Sequence, residues 1–243
     1  MSFLLAIIWF LPGWNSDGKL HDDDICRLKN VLHSDSIVVK NWDSRDSWEN
    51  AVTNAGRSAI ALTDEITKMG RSQQKDLILV GHSLGAKIVV DIMAELSKLN
   101  ISIQKGVLLG PAISADDANL RRAAQCSQLI VVRGEDDQVL KYFYPLVSNG
   151  KVAIGDEGSN TGNIKEYVVP VNFWRHRCEV FPSHNYHMYI EFMEQALLEK
   201  KKEKKKAAHK NEFPGYWDGG LVKSKINFIR KMIKAKKELW SLK

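Results

Sequence analysis

A chain of 243 residues, 44% of them hydrophobic and seven of them tryptophan, is long enough for one domain with a sizeable core and too apolar to be disordered. Its net charge of +6 is unevenly held: from Lys200 onward 15 Lys+Arg face 4 Asp+Glu, while residues 1–199 carry 20 against 25. The basic character belongs to the stretch from Lys200 alone, which suggests a separate role for it.

The chain opens on an apolar run, Met1 to Leu11, that lacks a basic leader and an A-x-A-like cleavage site. At about ten apolar residues it is too short to span a bilayer. It runs into Pro12-Gly13-Trp14, and we read residues 3–11 as a central strand, because buried parallel strands are continuous apolar runs. A helix is expected over 21–33, a strand over 36–42, a helix over 46–69 and a strand over 76–80. Next come a helix over 86–98, a strand over 103–109, a helix over 115–125, a strand over 129–132 and a helix over 138–147. Residues 148–163, rich in Gly, Ser and Asn, read as a loop or small cap. A last strand lies within 165–181, where two apolar runs fit either a hairpin or successive strands, and a helix over 187–206 follows. Strands alternating with helices imply an α/β fold with a mostly parallel central sheet, helices on both faces and a minimal cap. We divide the chain into a domain over 1–199 and a basic amphipathic tail over 200–243, whose Val222, Ile226, Ile229, Ile233 and Trp240 fall near one helical face.

Between the third strand and its helix stands Gly81-His82-Ser83-Leu84-Gly85, a G-x-S-x-G pentad. Strand, sharp turn and helix are the context in which this motif works: the turn lifts the serine hydroxyl clear of the backbone. A serine alone is a poor nucleophile and needs a base, itself held by a carboxylate. The acid is expected at the C-terminal end of a later strand, on the same sheet edge as the serine. Arg133-Gly134-Glu135-Asp136-Asp137-Gln138 follows the strand over 129–132. Asp137, three residues past the turn glycine, is the first choice and Asp136 the close alternative; either also suits a helix N-cap. Asp116 and Asp117 are more distant choices.

The base is expected in the loop before the last helix. His82 lies inside the elbow and should point away from the hydroxyl, which leaves the late histidines. His184 is the first choice and His187 the second; the one not used should serve at the helix start or behind the site. The oxyanion hole needs two backbone N–H groups. We assign Leu84, after the nucleophile, and Trp14, after the first strand; Trp14 also suits plain core packing.

The pentad, the acid-rich turn and the late histidine together resemble the α/β-hydrolase superfamily. Pro12-Gly13-Trp14, Trp42-Asp43, Gly81 to Ala86 and Asp136-Asp137-Gln138-Val139-Leu140 are most similar to the transmembrane-and-coiled-coil-4-like serine hydrolases. The likeness covers roughly residues 5–198, without that family's long membrane-spanning and coiled-coil parts. The resemblance supports Asp137 as the acid and implies a serine hydrolase acting on a carboxylic ester or thioester, with small-molecule or lipid ester substrates.

No metal or organic cofactor is expected. Amide cleavage by the same residues, a fold kept as an inactive binding module, and a membrane-surface adaptor are the competing readings. The tail could bind an anionic membrane surface; interleaved glutamate and few stacking aromatics argue against nucleic acid. Three widely spaced cysteines, Cys26, Cys126 and Cys178, form no metal pattern and suit a reducing, cytoplasmic compartment, peripheral to a membrane if the tail binds one.

Overall fold

Six strands, all parallel, form one sheet in the order β2-β1-β3-β4-β5-β6. The structure, a computed structural model, describes residues 6–159, 164–174 and 184–196. In chain order these are β1 (Ala6–Leu11), α1 (Asp22–Leu32), β2 (Ser34–Val39), α2 (Trp48–Thr67), α3 (Arg71–Lys75), β3 (Leu77–His82) and α4 (Leu84–Lys98). Then follow β4 (Lys105–Leu109), α5 (Ala118–Cys126), β5 (Gln128–Gly134), a π-helical turn (Val139–Phe143), α6 (Tyr144–Val147), α7 (Ile154–Glu157), β6 (Ile164–Val169) and α8 (Val171–Trp174). Residues 186–196 form a further helix, α9.

The continuous apolar runs are strands buried on both faces. Along β1, Trp9 and Leu11 join a core beneath α2, α4 and α5, while Ile8 and Phe10 join the opposite core beneath α1 and α9. Each such side chain withdrawn from water is worth roughly 1.5–3 kcal/mol. Helix α4 buries ten residues and crosses the middle of the sheet. The three aspartates in the first turn of α1 complement its dipole, and Ser47 caps α2 by accepting from the Asn50 N–H at 3.3 Å.

Several expected boundaries shift. The second strand runs over Ser34–Val39 rather than 36–42, because the Ser34 hydroxyl bonds the Ala6 carbonyl and starts the pairing two residues early. The loop expected over 148–163 contains the short helix α7, and α3 was not expected. The expected helix over 138–147 begins as a π-helical turn. After β6 the chain turns into α8, so a strand is not continued past Val169. The apolar run 178–181, Cys178, residues 197–206 of the last helix and the tail over 200–243 lie outside the described residues.

The topology fixes where a site can form. The chain steps from β1 outward to β2, then returns across β1 to β3. The order therefore reverses at β1, and the loops leaving β1 and β3 part in opposite directions, opening a crevice at their carboxyl ends. Gly13-Trp14 and Ser83 stand at that crevice.

Candidate active site

Ser83 holds the elbow between β3 and α4 with φ 52° and ψ −121°, a conformation that costs a non-glycine residue on the order of 1–3 kcal/mol. The glycines around it are demanded by contact. A Cβ on Gly81 would lie 2.5 Å from the Gly85 carbonyl oxygen, and one on Gly85 would lie 2.3 Å from that of Leu11. Strand, elbow and helix therefore meet only if both positions lack side chains.

His184, just before α9, carries its Nε2 2.9 Å from Ser83 Oγ. Its Nδ1 lies 2.7 Å from Oδ2 of Asp137, which stands just beyond the end of β5 and is wholly buried. With the carboxylate accepting at Nδ1, Nε2 is left to accept from the serine hydroxyl. The carboxylate is itself fixed from both sides. Oδ1 accepts from the N–H groups of Val139 and Leu140, each at 3.1 Å, and Oδ2 accepts from the Tyr189 hydroxyl at 2.5 Å. Burial first, then the Asp137 charge and the hydrogen bond to it, push the Tyr189 hydroxyl well above its ordinary pKa, so it stays a neutral donor.

His82 does not reach the serine oxygen. Its Nε2–H donates to the His184 carbonyl at 2.9 Å. Burial, assisted by the neighbouring His184 and opposed by that hydrogen bond, lowers its pKa to about 3, so it is a neutral ring that props the histidine backbone. Sequence reasoning identified neither this role nor that of Tyr189. The available signal for Tyr189 was a tyrosine on the buried face of a helix, whose hydroxyl needs a partner.

The alternatives lie elsewhere. Asp136 faces away and pairs with Lys141 at 3.0 Å. His187 is turned to α1, where its Nδ1 meets the buried Asp24. Asp116 bonds the Ser114 hydroxyl, and Asp117 caps α5 while facing Lys87 at 3.4 Å. Leu84 is the first residue of α4 and Trp14 follows Gly13 in the loop after β1. Among the described residues neither backbone N–H donates to an acceptor, whereas that of Asn15 is spent on the Ser44 carbonyl at 3.0 Å. Trp14 also packs: its indole N–H donates to the Asp46 carbonyl at 2.8 Å, and its ring stacks on Phe143 at 5.7 Å.

The serine opens into a cleft of about 780 Å³, walled by Trp14, Trp48, Phe143 and Tyr144 on one side and by His82 and Tyr186 on another. That size suits a small-molecule ligand. Among the described residues no three His, Cys, Asp or Glu side chains are grouped to hold a metal ion, and no helix is long and apolar enough to cross a membrane.

No protein-family description matches the chain, and no curated protein does. Solved structures do match. One is a dienelactone-hydrolase-like promiscuous phosphotriesterase from metagenomic libraries, 13% identical, with a TM-score of 0.47 over 82% of this chain and 86% of that one. Another is an esterase of Pyrobaculum calidifontis, 15% identical, TM-score 0.43, covering 84% and 77%. A third is an S-formylglutathione hydrolase of Agrobacterium tumefaciens, 14% identical, TM-score 0.44, covering 79% and 82%. Likenesses this remote leave the assignment to the chain's own topology. The parallel sheet flanked by helices on both faces, with a strained serine between β3 and α4, is an α/β-hydrolase fold. Between β5 and β6 the described residues carry the π-helical turn and two four-residue helices, of which the π-helical turn and the start of α6 wall the cleft.

Proposed function

We propose that the protein is a serine hydrolase of carboxylic esters or thioesters. One observation carries this reading: the unbroken relay from Ser83 Oγ through the His184 ring to the Asp137 carboxylate, at 2.9 and 2.7 Å, opening on the cleft. His184 Nε2 takes the Ser83 proton as Oγ bonds the acyl carbon. The carbonyl electron pair moves onto oxygen, where the N–H groups of Leu84 and Trp14 hold it. The oxyanion collapses, the bond to the alcohol or thiol breaks, and His184 returns the proton to the leaving group. Water repeats the sequence on the acyl-enzyme and releases the acid. Asp137 orients the imidazole and stabilises its cation.

The test is a fluorophosphonate probe with a panel of esters, thioesters and anilides. Wild type should label and turn over the esters and thioesters, and Ser83→Ala should do neither. Labelling that persists in Ser83→Ala removes the serine from the reaction. Anilide turnover matching that of the esters would make the enzyme an amidase.

The likeness to transmembrane-and-coiled-coil-4-like hydrolases rests on motif order and is part of this proposal. So is a cytoplasmic location, supported by the free thiols of Cys26 and Cys126. The +11 balance of the stretch from Lys200 favours an anionic membrane surface as its partner; co-sedimentation with anionic and neutral vesicles tests it, and equal binding to both refutes it.

A further inference from the structure

Beside the nucleophile's cleft lies a second cavity of about 380 Å³. Its apolar lining comes from Val52, Leu84, Ile113 and Val147; of the charged residues at its rim, Lys87 pairs with Asp91 at 2.5 Å and with Asp117 at 3.4 Å, Lys151 pairs with Asp116 at 3.5 Å, and Glu49 adds a carboxylate. Three residues face both spaces: Trp48, Ala112 and Tyr144. Ala112 is small, so the partition is in effect the two aromatic side chains. They meet edge to face, ring centroids 6.0 Å apart at 85°, and Trp48 is braced on its other side by Trp14 at 5.5 Å.

The partition is held by packing rather than by hydrogen bonds. The indoles of Trp14 and Trp42 donate to the carbonyls of Asp46 and Pro12. Among the described residues the Trp48 indole N–H and the Tyr144 hydroxyl have no such partner. Burial, with Asp117 and Asp116 nearby, pushes the Tyr144 hydroxyl up to about 12, so no charge is carried into the wall.

Resting on the hydrolase reading, we propose that Trp48 and Tyr144 determine substrate length. The apolar arm of an ester seated at Ser83 runs to this wall and stops. A short aliphatic or flat aromatic arm is fully covered. A longer aliphatic arm must turn back into water and gains nothing from its extra methylenes. Behind the wall, the second cavity is space the enzyme does not use, separated from the substrate by two replaceable side chains.

The experiment is kcat/KM for p-nitrophenyl esters of saturated acids from two to sixteen carbons, with fluorophosphonate labelling to report that Ser83 is intact. Wild type should level off or fall at medium length. Trp48→Ala should go on gaining, about fourfold per added methylene until the second cavity is full. Tyr144→Leu, less disruptive, should extend the optimum by a few carbons and keeps the test open if Trp48→Ala fails to fold. Refilling the cavity, as Trp48→Ala with Val147→Trp, should restore the wild-type profile. A profile unchanged in both single variants that still label overturns the proposal. So does an equal change at every chain length, or a double variant that keeps the long-chain gain. If wild type neither labels nor hydrolyses any ester, it is the hydrolase reading itself that falls.

Discussion

Two aspartate–histidine pairs lie at the start of α9, their histidines three residues apart, and they are built differently. His184 reaches Asp137, and its other nitrogen faces a hydroxyl at 2.9 Å. His187 reaches Asp24 on α1, and among the described residues no serine hydroxyl bonds its ring, which lies instead against those of His21 and Tyr186. Both carboxylates are buried, at 0% and 1% exposure, so burial does not distinguish them. Their donors do. Asp137 accepts from two backbone N–H groups, a tyrosine hydroxyl and an imidazole. Asp24 has the His187 imidazole and, at 3.9 Å, the Arg27 guanidinium, and among the described residues no backbone N–H donates to either oxygen. Burial accordingly raises the Asp24 pKa against the pull of His187. A pair becomes chemistry where the carboxylate is fixed by other groups and the imidazole is aimed at a nucleophile. Without those, the same two residues are a tie between helices.

The sharpest way to break this contrast is to neutralise each acid in turn. Asp137→Asn keeps the shape but disturbs the imidazole tautomer, and kcat should fall about 10⁴-fold. Asp24→Asn should leave kcat within a few-fold, because the partners of Asp24 among the described residues, His187 and Arg27, do not line the cleft. Steady-state ester hydrolysis at fixed pH measures both; comparable losses would erase the distinction.

The second pair should show itself in stability. Leaving a buried carboxylate without its partner costs about 1–3 kcal/mol, and His187→Ala should fall within that range, since His187 is partly exposed and Asp24 can take a proton. The pH dependence has a definite sign. Asp24 is raised in the folded state, and losing His187 removes the largest influence that lowers it. The folded variant then holds the proton more tightly than the unfolded chain does. Its stability relative to wild type should be nearest to normal around pH 4 and should worsen as the pH rises towards neutrality. Urea melts at several pH values measure this, and a deficit that shrinks with rising pH would show that Asp24 is not the group involved.

Tyr189→Phe acts on the first pair through one donor. It removes the hydroxyl at 2.5 Å from Asp137 Oδ2 and leaves the two backbone donors on Oδ1. Losing one hydrogen bond to a charged group is worth about 1.5 kcal/mol, so kcat should drop roughly tenfold with KM little changed. A loss as large as that of Asp137→Asn would mean that Tyr189, and not the π-helical turn, holds the acid.

What the sequence conveyed of all this follows the range over which each feature is decided. The elbow is local: an apolar run, a serine between glycines and an amphipathic helix lie within about twenty residues, so strand, turn and helix could be read directly. The acid and the base were legible at one remove, since a parallel sheet puts the ends of β3 and β5 on one edge. Asp24 was not. An aspartate in the first turn of a helix reads as a dipole partner, and its burial depends on α9, more than 160 residues later. The start of β2 was misplaced for a similar reason, because the Ser34 hydroxyl finds the Ala6 carbonyl only once the two strands lie side by side. In α7 the Gly-rich composition suggested loop, yet Ile154 is wholly buried in the core shared by α4 and α5, and packing overrode propensity.

The smallest expected effect sharpens the contrast between neighbours rather than between pairs. Asp136 and Asp137 are adjacent in sequence and were close competitors, yet the backbone turns one inward and the other out. The Asp136 side chain is 38% exposed and its partner Lys141 44%, 3.0 Å apart, so water screens the pair. Such exposed pairs contribute little to stability. Asp136→Asn should therefore change kcat/KM less than twofold and leave the melting midpoint nearly where it was. It also puts a neutral amide where a charge stood one residue from the acid, so it controls for any general field effect on His184. A tenfold loss in Asp136→Asn would show that the turn after β5 supplies its carboxylate to the imidazole from either position, and that the contacts of Asp137 are one of two working arrangements.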